Sequence, residues 1–114
     1  MPWSVEIHPD LAPELRLPPR GVRQELGAHV GLIEQFGPAL GRPAVDTLKG
    51  SSVANLKELR FSAGGGVWRV AFAFDGNRVA VLLAAGDKGG KDQNRFYRAM
   101  MKLAEERWTT WKAS

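Results

Sequence analysis

The stretch KELRFSAGGGVWRVAFAFDGNRVAVLLAAG, residues 57–86, contains three runs of strand-forming residues separated by two turn signals. Large apolar residues occupy every second position of the middle run, which is the period of a β-strand with one heavy face; they are Trp68, Val70, Phe72 and Phe74. Both Gly64-Gly65-Gly66 and Asp75-Gly76-Asn77 are typical of tight turns between antiparallel strands. We therefore predict a three-stranded antiparallel meander, with the wholly apolar run 79–85 in the interior of the sheet.

The residues before the meander predict a strand and a helix. Alternation in residues 4–7 indicates a short opening strand, and the prolines that follow allow at most a short helix or turn over residues 11–17. From Arg20 the apolar residues follow a helical period; they are Val22, Leu26, Val30 and Ile33, with Phe36 closing the stripe. Gly37-Pro38 ends this helix, and residues 40–46 read as a loop.

A second helix follows the meander, after a glycine-rich loop over residues 86–91. Asp92 is the predicted N-cap. The packing stripe of the helix is predicted at Phe96, Met100, Leu103, Arg107 or Trp108, and Trp111. Trp108 and Trp111 either close the core or form part of a surface for a partner protein.

Length and composition restrict the class of protein. A chain of 114 residues is too short for two domains, so we expect residues 1–114 to form one α+β domain. The chain contains no cysteine, which excludes disulfides and thiolate chemistry. We see no run long enough to span a membrane and no signal peptide, so we expect a soluble, cytoplasmic protein without a membrane partner. His8 and His29 lack cysteine or clustered carboxylates nearby, so we predict structural or surface roles for them and no metal site.

Positive charge is concentrated in one part of the chain. Residues 49–102 carry ten Lys and Arg against four Asp and Glu, while residues 1–48 carry four Arg against six acidic residues. A confined positive field raises the local concentration of an anionic partner. The alternative is a solvated surface that only keeps the protein in solution.

Strand parity sorts the basic residues. Arg60 and Arg69 point away from the aromatic face, so we predict them side by side on the opposite face of adjacent strands. Two arginines there repel each other unless an anion lies between them or Glu58 pairs with one of them. Lys57 has the parity of the core residue Leu59, and Tyr97 lies oblique to the stripe of its helix, with a core role equally open.

Several of these residues belong to a pattern that resembles the RelE/ParE toxin superfamily, and its phage-derived Gp49-like, or HigB-like, branch in particular. The pattern is Leu48-Lys49-Gly50, Leu56-Lys57-Glu58-Leu59-Arg60 and Trp68-Arg69-Val70, followed by an apolar strand, Lys88 and a long amphipathic helix. The likeness covers roughly residues 43–108. It implies a RelE/ParE-like α+β fold, in which a small antiparallel sheet of the meander plus the N-terminal strand is flanked by N-terminal helices and a long C-terminal helix.

The resemblance also implies a function. It implies a toxin of a type II toxin–antitoxin system that cleaves ribosome-bound mRNA without a metal or other cofactor and inhibits translation. A helix-turn-helix antitoxin would be the cognate partner, and mRNA and the ribosome the other partners. The RNA-binding residues would be Lys49, Lys57, Arg60, Arg69, Lys88, Lys91 and Arg95.

Cleavage of RNA by its own 2′-hydroxyl needs a base, cations around the phosphate and a proton for the departing 5′-oxygen. We predict Arg60 and Arg69 as phosphate clamps because the guanidinium is bidentate and always charged. Lys57, Lys88 and Tyr97 are the candidates for proton transfer. Two other functions remain open, namely a ParE-like inhibitor of DNA gyrase and an RNA-binding domain without catalysis.

Overall fold

A five-stranded sheet with one helix on each face makes up the structure, a computed structural model that describes residues 3–114. The strands are β1 (Ser4–Ile7), β2 (Val45–Thr47), β3 (Lys57–Ala63), β4 (Gly66–Asp75) and β5 (Val79–Asp87). The helices are α1 (Arg20–Phe36) and α2 (Gln93–Ala113), with short 3-10 turns at Glu14–Arg16 and Gly37–Ala39. The strand order is β1-β5-β4-β3-β2, which gives the α+β architecture expected from the sequence.

The predicted meander is confirmed as β3, β4 and β5. Its first turn consists of Gly64 and Gly65, whose φ angles of +58° and +78° lie in the left-handed region. A two-residue hairpin with both central residues there is the mirror-image turn that matches strand twist, and it strongly favours glycine. β5 lies between β1 and β4, which explains its wholly apolar sequence.

Each face of the sheet carries its own apolar core. On one face, Val22 and Ile33 of α1 pack with Leu59, Phe61 and other meander residues. On the other face, Met100 and Ala104 of α2 cover the alternate residues of β4 and β5. Because alternate residues of a strand point to opposite faces, the same strands supply side chains to both cores.

Three details differ from the sequence-based expectation. β1 runs parallel to β5, so the sheet is mixed rather than wholly antiparallel. The predicted loop over residues 40–46 runs into a strand, β2, whose three residues pair with β3 and bury Val45. Phe36 does not close the helix stripe, because 46% of it is exposed. Strand direction and three-residue strands both depend on tertiary pairing, which local periodicity does not encode.

Contacts between distant parts of the chain fix the N-terminal segment. The His8 ring lies 2.8 Å from Thr110 Oγ1 through Nε2, and His8 Nδ1 accepts the Asp10 N–H at 3.0 Å. Trp3 packs edge-on against Phe74 and receives the guanidinium of Arg78 on its ring. None of the helices within residues 3–114 is long and apolar enough to cross a membrane.

Candidate functional site

The sheet face beneath α2 changes character along its length. Where α2 covers β4 and β5, the residues are apolar and buried, as at Ala71 and Leu83. Beyond the first turns of α2, the same face continues into Glu58, Arg60 and Arg69 of β3 and β4. Arg60 and Arg69 are direct cross-strand partners, which confirms the neighbourhood predicted from parity. The polar end of this face is therefore where the sheet can meet an anion.

A cavity of about 370 Å³ opens at this polar end. We call it the basic cleft and define it by five of its lining residues, Lys49, Glu58, Arg60, Lys88 and Tyr97. Asp46, Thr47, Leu48, Gln93 and Met101 complete the lining. Four of the predicted site residues, drawn from β3, α2 and two loops, thus share one cavity, with a carboxylate among them.

Glu58 and Tyr97 of the basic cleft are bonded to each other and to Arg69, which lies behind them. The Tyr97 hydroxyl donates to Glu58 Oε1 at 2.8 Å. Arg69 Nε lies 3.3 Å from the Tyr97 oxygen and 3.4 Å from Glu58 Oε1, while its Nη1 donates to the Trp68 carbonyl at 2.8 Å. Both charged side chains are only 8% exposed. The predicted alternative, in which Glu58 pairs with Arg69, is therefore what the structure contains.

This pairing corrects one expectation about Arg69. The sequence placed it on an open face with its guanidinium available, whereas the structure buries it behind Glu58 and Tyr97. A buried carboxylate requires a cation and hydrogen-bond donors to offset its lost hydration, and Arg69 and Tyr97 supply them. Arg69 does line a second, shallower depression of about 330 Å³ beside the cleft, with Arg42 and Arg60.

The pKa of Tyr97 is raised above its ordinary value of 10.0. Burial of the phenol is the main cause, because it disfavours the charged phenolate, and the neighbouring Glu58 adds to the effect. The hydrogen bond from Arg69 opposes the shift without reversing it. Tyr97 therefore keeps its proton throughout the physiological pH range and can donate it.

Hydrogen bonds to two carboxylates fix the loops that carry the lysines of the cleft. Asp87 Oδ1 accepts the backbone N–H groups of Val67 and Gly89, each at 2.9 Å, and so fixes the loop that carries Lys88. Lys88 Nζ then lies 5.9 Å from the centre of the Tyr97 ring. On the opposite rim, Glu105 of α2 accepts from the hydroxyl of Ser51 and the N–H of Ser52, next to the Lys49 turn.

Arg60 is more accessible than Arg69, its cross-strand partner. Its side chain is 30% exposed, and Nη1 lies 3.8 Å from Asp46 Oδ2, a long ion pair. Because the pair is loose and partly hydrated, an incoming phosphate can compete for this guanidinium. Arg60 thus lies between the basic cleft and the second depression, and it lines both.

Besides Arg69, three predicted residues lie outside the cleft. Lys57 is turned toward Thr47, to whose hydroxyl its Nζ donates at 3.0 Å. Lys91 and Arg95 line a different cavity, between β5 and α2. Lys57 follows the parity of Leu59, Lys91 lies in the loop before α2, and Arg95 lies about half a turn of α2 away from Tyr97, so none of the three lines the cleft.

The remaining aromatic and histidine predictions fall in structural positions. His29 bonds to the Glu25 carbonyl and stacks on Phe61, and His8 is buried against Thr110. Trp108 and Trp111 are half-buried against the core beneath α2, and Trp111 Nε1 donates to Asp75 at 3.2 Å. Arg107, rather than Trp108, is the buried member of the predicted helix stripe.

Glu58 is the cleft residue that sequence reasoning placed only as a structural partner. Its parity with Arg60 was the available signal, since both point to the same face of β3. Asp46 and Gln93 were not singled out, because Asp46 fell in a predicted loop and Gln93 follows a helix cap without any motif. Only the tertiary fold brings Asp46 and Gln93 to the cleft.

The chain is similar to known proteins in sequence over most of its length. Residues 13–109 match the family model described as phage derived protein Gp49-like (DUF891). Two proteins of Mycobacterium tuberculosis, "Putative toxin HigB3" and "Putative toxin HigB2", are 45% identical over 85 residues and 46% identical over 80 residues. The first match covers 75% of this chain and 72% of HigB3, and the second covers 69% of this chain but only 39% of HigB2.

Two solved structures share the fold. An archaeal RelE–RelB complex from Pyrococcus horikoshii OT3 contains a chain that superposes with a TM-score of 0.61 at 20% identity, covering 80% of this chain and all of that one. A free-state mutant of Escherichia coli toxin RelE superposes with a TM-score of 0.62 at 13% identity, covering 90% and 96% of the two chains. At these identities the likeness establishes the architecture of the sheet and helices and nothing finer.

Proposed function

The chain belongs to the phage derived Gp49-like family, and from that premise we propose that it is the toxin of a type II toxin–antitoxin system. Its activity would be a ribosome-dependent, metal-independent cleavage of mRNA that halts translation. A cognate antitoxin with a helix-turn-helix domain would neutralise it, and its substrate would locate it in the cytoplasm. The resemblance to HigB3 at 45% identity supports the toxin class.

One observation carries the choice of RNA as substrate, namely the convergence of Lys49, Arg60, Lys88 and Tyr97 on the basic cleft beside Glu58. Three cations in one cavity suit a phosphate whose charge grows during reaction. A phenol that stays protonated can supply the proton that the departing 5′-oxygen needs. A protein-binding groove would need neither arrangement.

In the proposed reaction the 2′-oxygen attacks the adjacent phosphorus and the bond from phosphorus to the 5′-oxygen breaks. Lys49, Arg60 and Lys88 stabilise the negative charge on the phosphate oxygens. Tyr97 gives its proton to the departing 5′-oxygen, and the products are a 2′,3′-cyclic phosphate and a 5′-hydroxyl. The 2′-hydroxyl gives its proton to the neutral amine of Lys88, and the resulting ammonium is the third cation beside the phosphate; Lys88 is the better candidate than Lys57 for this role, since Lys57 does not line the cleft.

Mapping of RNA ends tests this proposal. Induced expression of the wild-type chain is expected to arrest growth and to create new 5′-hydroxyl ends on ribosome-bound messages. Lys88→Ala should lower cleavage by about 100-fold, whereas Lys102→Ala, an equal loss of charge on the exposed side of α2, should cleave like wild type. Arg69 is unsuited to this comparison because its removal leaves the buried Glu58 without its cation.

Two results would contradict the proposal. Purified protein that inhibits gyrase supercoiling and leaves ribosome-bound RNA intact would indicate a ParE-like gyrase inhibitor. Salt-dependent RNA binding without new ends, even with translating ribosomes, would indicate a binding domain without catalysis.

A further inference from the structure

The second half of β5 has a strand partner on one side only. β1 pairs with β5 from Val79 to Leu82, and the chain then turns away after Ile7. Arg107 Nη1 donates to the Leu83 carbonyl at 2.9 Å and so occupies the edge at that residue. Residues 84–86 pair with β4, and no other strand within residues 3–114 lies on their opposite side. An unpaired strand edge is a template for an added strand.

A cavity of about 540 Å³ lies against this edge. Its strand side is formed by Ala84, Ala85 and Gly86, and its helix side by Phe96, Met100 and Leu103. Successive residues of a strand point to opposite faces, so three in a row line one cavity only where the strand presents its edge. The Phe96 ring sits so close to Gly86 that an added Cβ would lie 3.0 Å from it.

The rim of this groove is basic. Lys91 and Arg95 line its open end, and neither makes an ion pair with an acidic side chain of residues 3–114. The neighbouring carboxylate, Asp92, is engaged as the N-cap of α2, where it accepts the Arg95 N–H at 2.9 Å. Two cations outnumber the one carboxylate of the lining, so this apolar groove with a net positive rim complements a segment that is apolar in its middle and acidic at one end.

We propose that this groove binds an extended segment of the antitoxin, which adds a strand to β5 at residues 84–86. The segment places apolar side chains against Phe96, Met100 and Leu103, and an acidic residue beside Lys91 and Arg95. The identity of this occupant rests on the proposed function, in which an antitoxin neutralises the chain. An extended segment fits better than a helix because a free backbone edge forms one wall of the groove.

A bulky substitution in the groove tests the proposal. Ala99 lines the groove and is exposed on α2, so Ala99→Trp fills the space without removing a contact of the core. Ala28→Trp is the matched control, at an exposed position of α1 on the other face of the sheet. The probe is the purified product of the reading frame adjacent to this gene, titrated calorimetrically. Ala99→Trp is expected to weaken its binding by about tenfold or more, and Ala28→Trp to leave it at the wild-type value.

Charge reversal supplies a second readout. The double substitution K91E/R95E should weaken the same probe, and the loss should shrink at high salt because it is electrostatic. The double substitution R20E/R23E on α1 makes the same change in net charge and should bind as wild type does. Hydrogen exchange in the complex should show slowed amides at residues 84–86.

These measurements separate failure of the proposal from failure of the proposed function. Ala99→Trp protein that still arrests growth but escapes neutralisation supports both ideas. A wild-type chain without RNA cleavage would overturn the enzymatic function, while the titration would still report on the groove. Equal affinity of the probe for wild type and Ala99→Trp, no binding of the probe at all, or a dimer of this chain that Ala99→Trp disrupts would each overturn the proposed occupant.

Discussion

Tyr97 joins α2 to the polar end of the sheet through a single hydroxyl group. That group donates to Glu58 and accepts from Arg69, so its proton is fixed on the side of the carboxylate. In the proposed reaction, the departing 5′-oxygen would compete with Glu58 for this proton. The position of the proton in the free protein therefore depends on Glu58.

The titration of this phenol can be observed directly, because Tyr97 is the only tyrosine of the chain. Ultraviolet absorbance should show phenolate forming in the folded protein with a midpoint above 10, and Glu58→Gln should lower that midpoint by removing the adjacent negative charge. Burial should keep it above the value of the unfolded chain. Because the folded pKa is raised, the stability linked to Tyr97 is complete below about pH 10 and is lost as the pH rises further. An unchanged midpoint in Glu58→Gln would contradict the assigned contact.

Arg107 is a second residue whose charge is buried for a structural reason. It donates to the Leu83 carbonyl at 2.9 Å and to both oxygens of Glu14, at 3.1 and 2.7 Å. Arg107→Ala is expected to lower the free energy of unfolding by about 3 kcal/mol, since it strands a buried carbonyl and breaks a bidentate pair. Arg98→Ala, at an exposed position of the same helix, should change it by less than about 0.5 kcal/mol. Urea denaturation compares the two, and equal losses would show that the bonds of Arg107 contribute nothing specific.

For single residues, the sequence predicted which side chains share a sheet face better than it predicted their burial and hydrogen-bond partners. Strand parity placed Arg60 and Arg69 side by side, because a period of two leaves little freedom. The burial of Arg69 escaped prediction, since it depends on Tyr97 reaching Glu58 across 39 positions of the chain. Lys91 and Arg95 were assigned to the same site as Lys88, yet both line the separate cavity between β5 and α2.

Carboxylates tie the elements of the fold to one another. Asp75 at the end of β4 bonds to Lys112 and Trp111 of α2. Asp87 at the end of β5 bonds to the start of β4, and Glu105 of α2 bonds to the loop of Ser51 and Ser52. Hydrogen bonds to each carboxylate are the main cause that lowers its pKa: from Lys112 for Asp75, from the Gly89 amide for Asp87 and from the Ser51 hydroxyl for Glu105.

The hydrogen bonds to Asp75, Asp87 and Glu105 predict that the folded protein loses stability in acid. A lowered folded pKa gives stability that is present above the unfolded value, near 4, and is lost as the pH falls through the folded value. The free energy of unfolding should therefore decline steadily below about pH 4. Asp87→Asn should be less stable than wild type at pH 7 by about 1 kcal/mol and should lose less on acidification, so the two curves converge. Glu106→Gln, on the exposed side of α2, should give a curve parallel to wild type. Chemical denaturation at a series of pH values measures all three, and a wild-type curve that is flat down to pH 2 would contradict the prediction.

Among the elements, the long ones were predictable and the short ones were not. The meander and both helices follow from periodicity and from turn and cap signals such as Gly64-Gly65 and Asp92, because local chemistry alone decides them. β2 has three residues and exists only because β3 lies beside it. The direction of β1 is likewise set by its partner.

The molecule as a whole presents its cations unevenly. The basic cleft and the depression beside it gather Arg42, Lys49, Arg60 and Lys88 at one end of the sheet, from three loops and one strand. Three of the ten basic residues of the range 49–102, namely Lys49, Arg60 and Lys88, therefore share one cavity. The adjoining Glu58 and Arg69 form a neutral pair, so the field at this end comes from the accessible cations.

Binding of RNA should accordingly weaken with salt in a countable way. For a short single-stranded oligoribonucleotide, the slope of log affinity against log salt should correspond to about 0.7 per phosphate contact, and Lys49→Ala should reduce it by about one contact. Arg23→Ala, at an exposed position of α1, should leave the slope unchanged. Fluorescence polarisation at several salt concentrations measures both. If Lys49→Ala leaves the slope unchanged, as Arg23→Ala is expected to do, the cleft does not hold the phosphates.

The parallel pairing of β1 with β5 has a consequence for how the protein is made. Its hydrogen-bond partners lie more than seventy positions further along, and the His8 contact with Thr110 spans 102 positions. A nascent chain elongates at about 5–20 residues per second, so the first strand waits several seconds without its neighbours while the ribosome that makes it is still at work. The cleft, whose walls come from β3 and α2, is likewise incomplete until α2 has emerged. Under the proposed function, this folding order would delay any cleavage of ribosome-bound mRNA until α2 has left the ribosome that makes it.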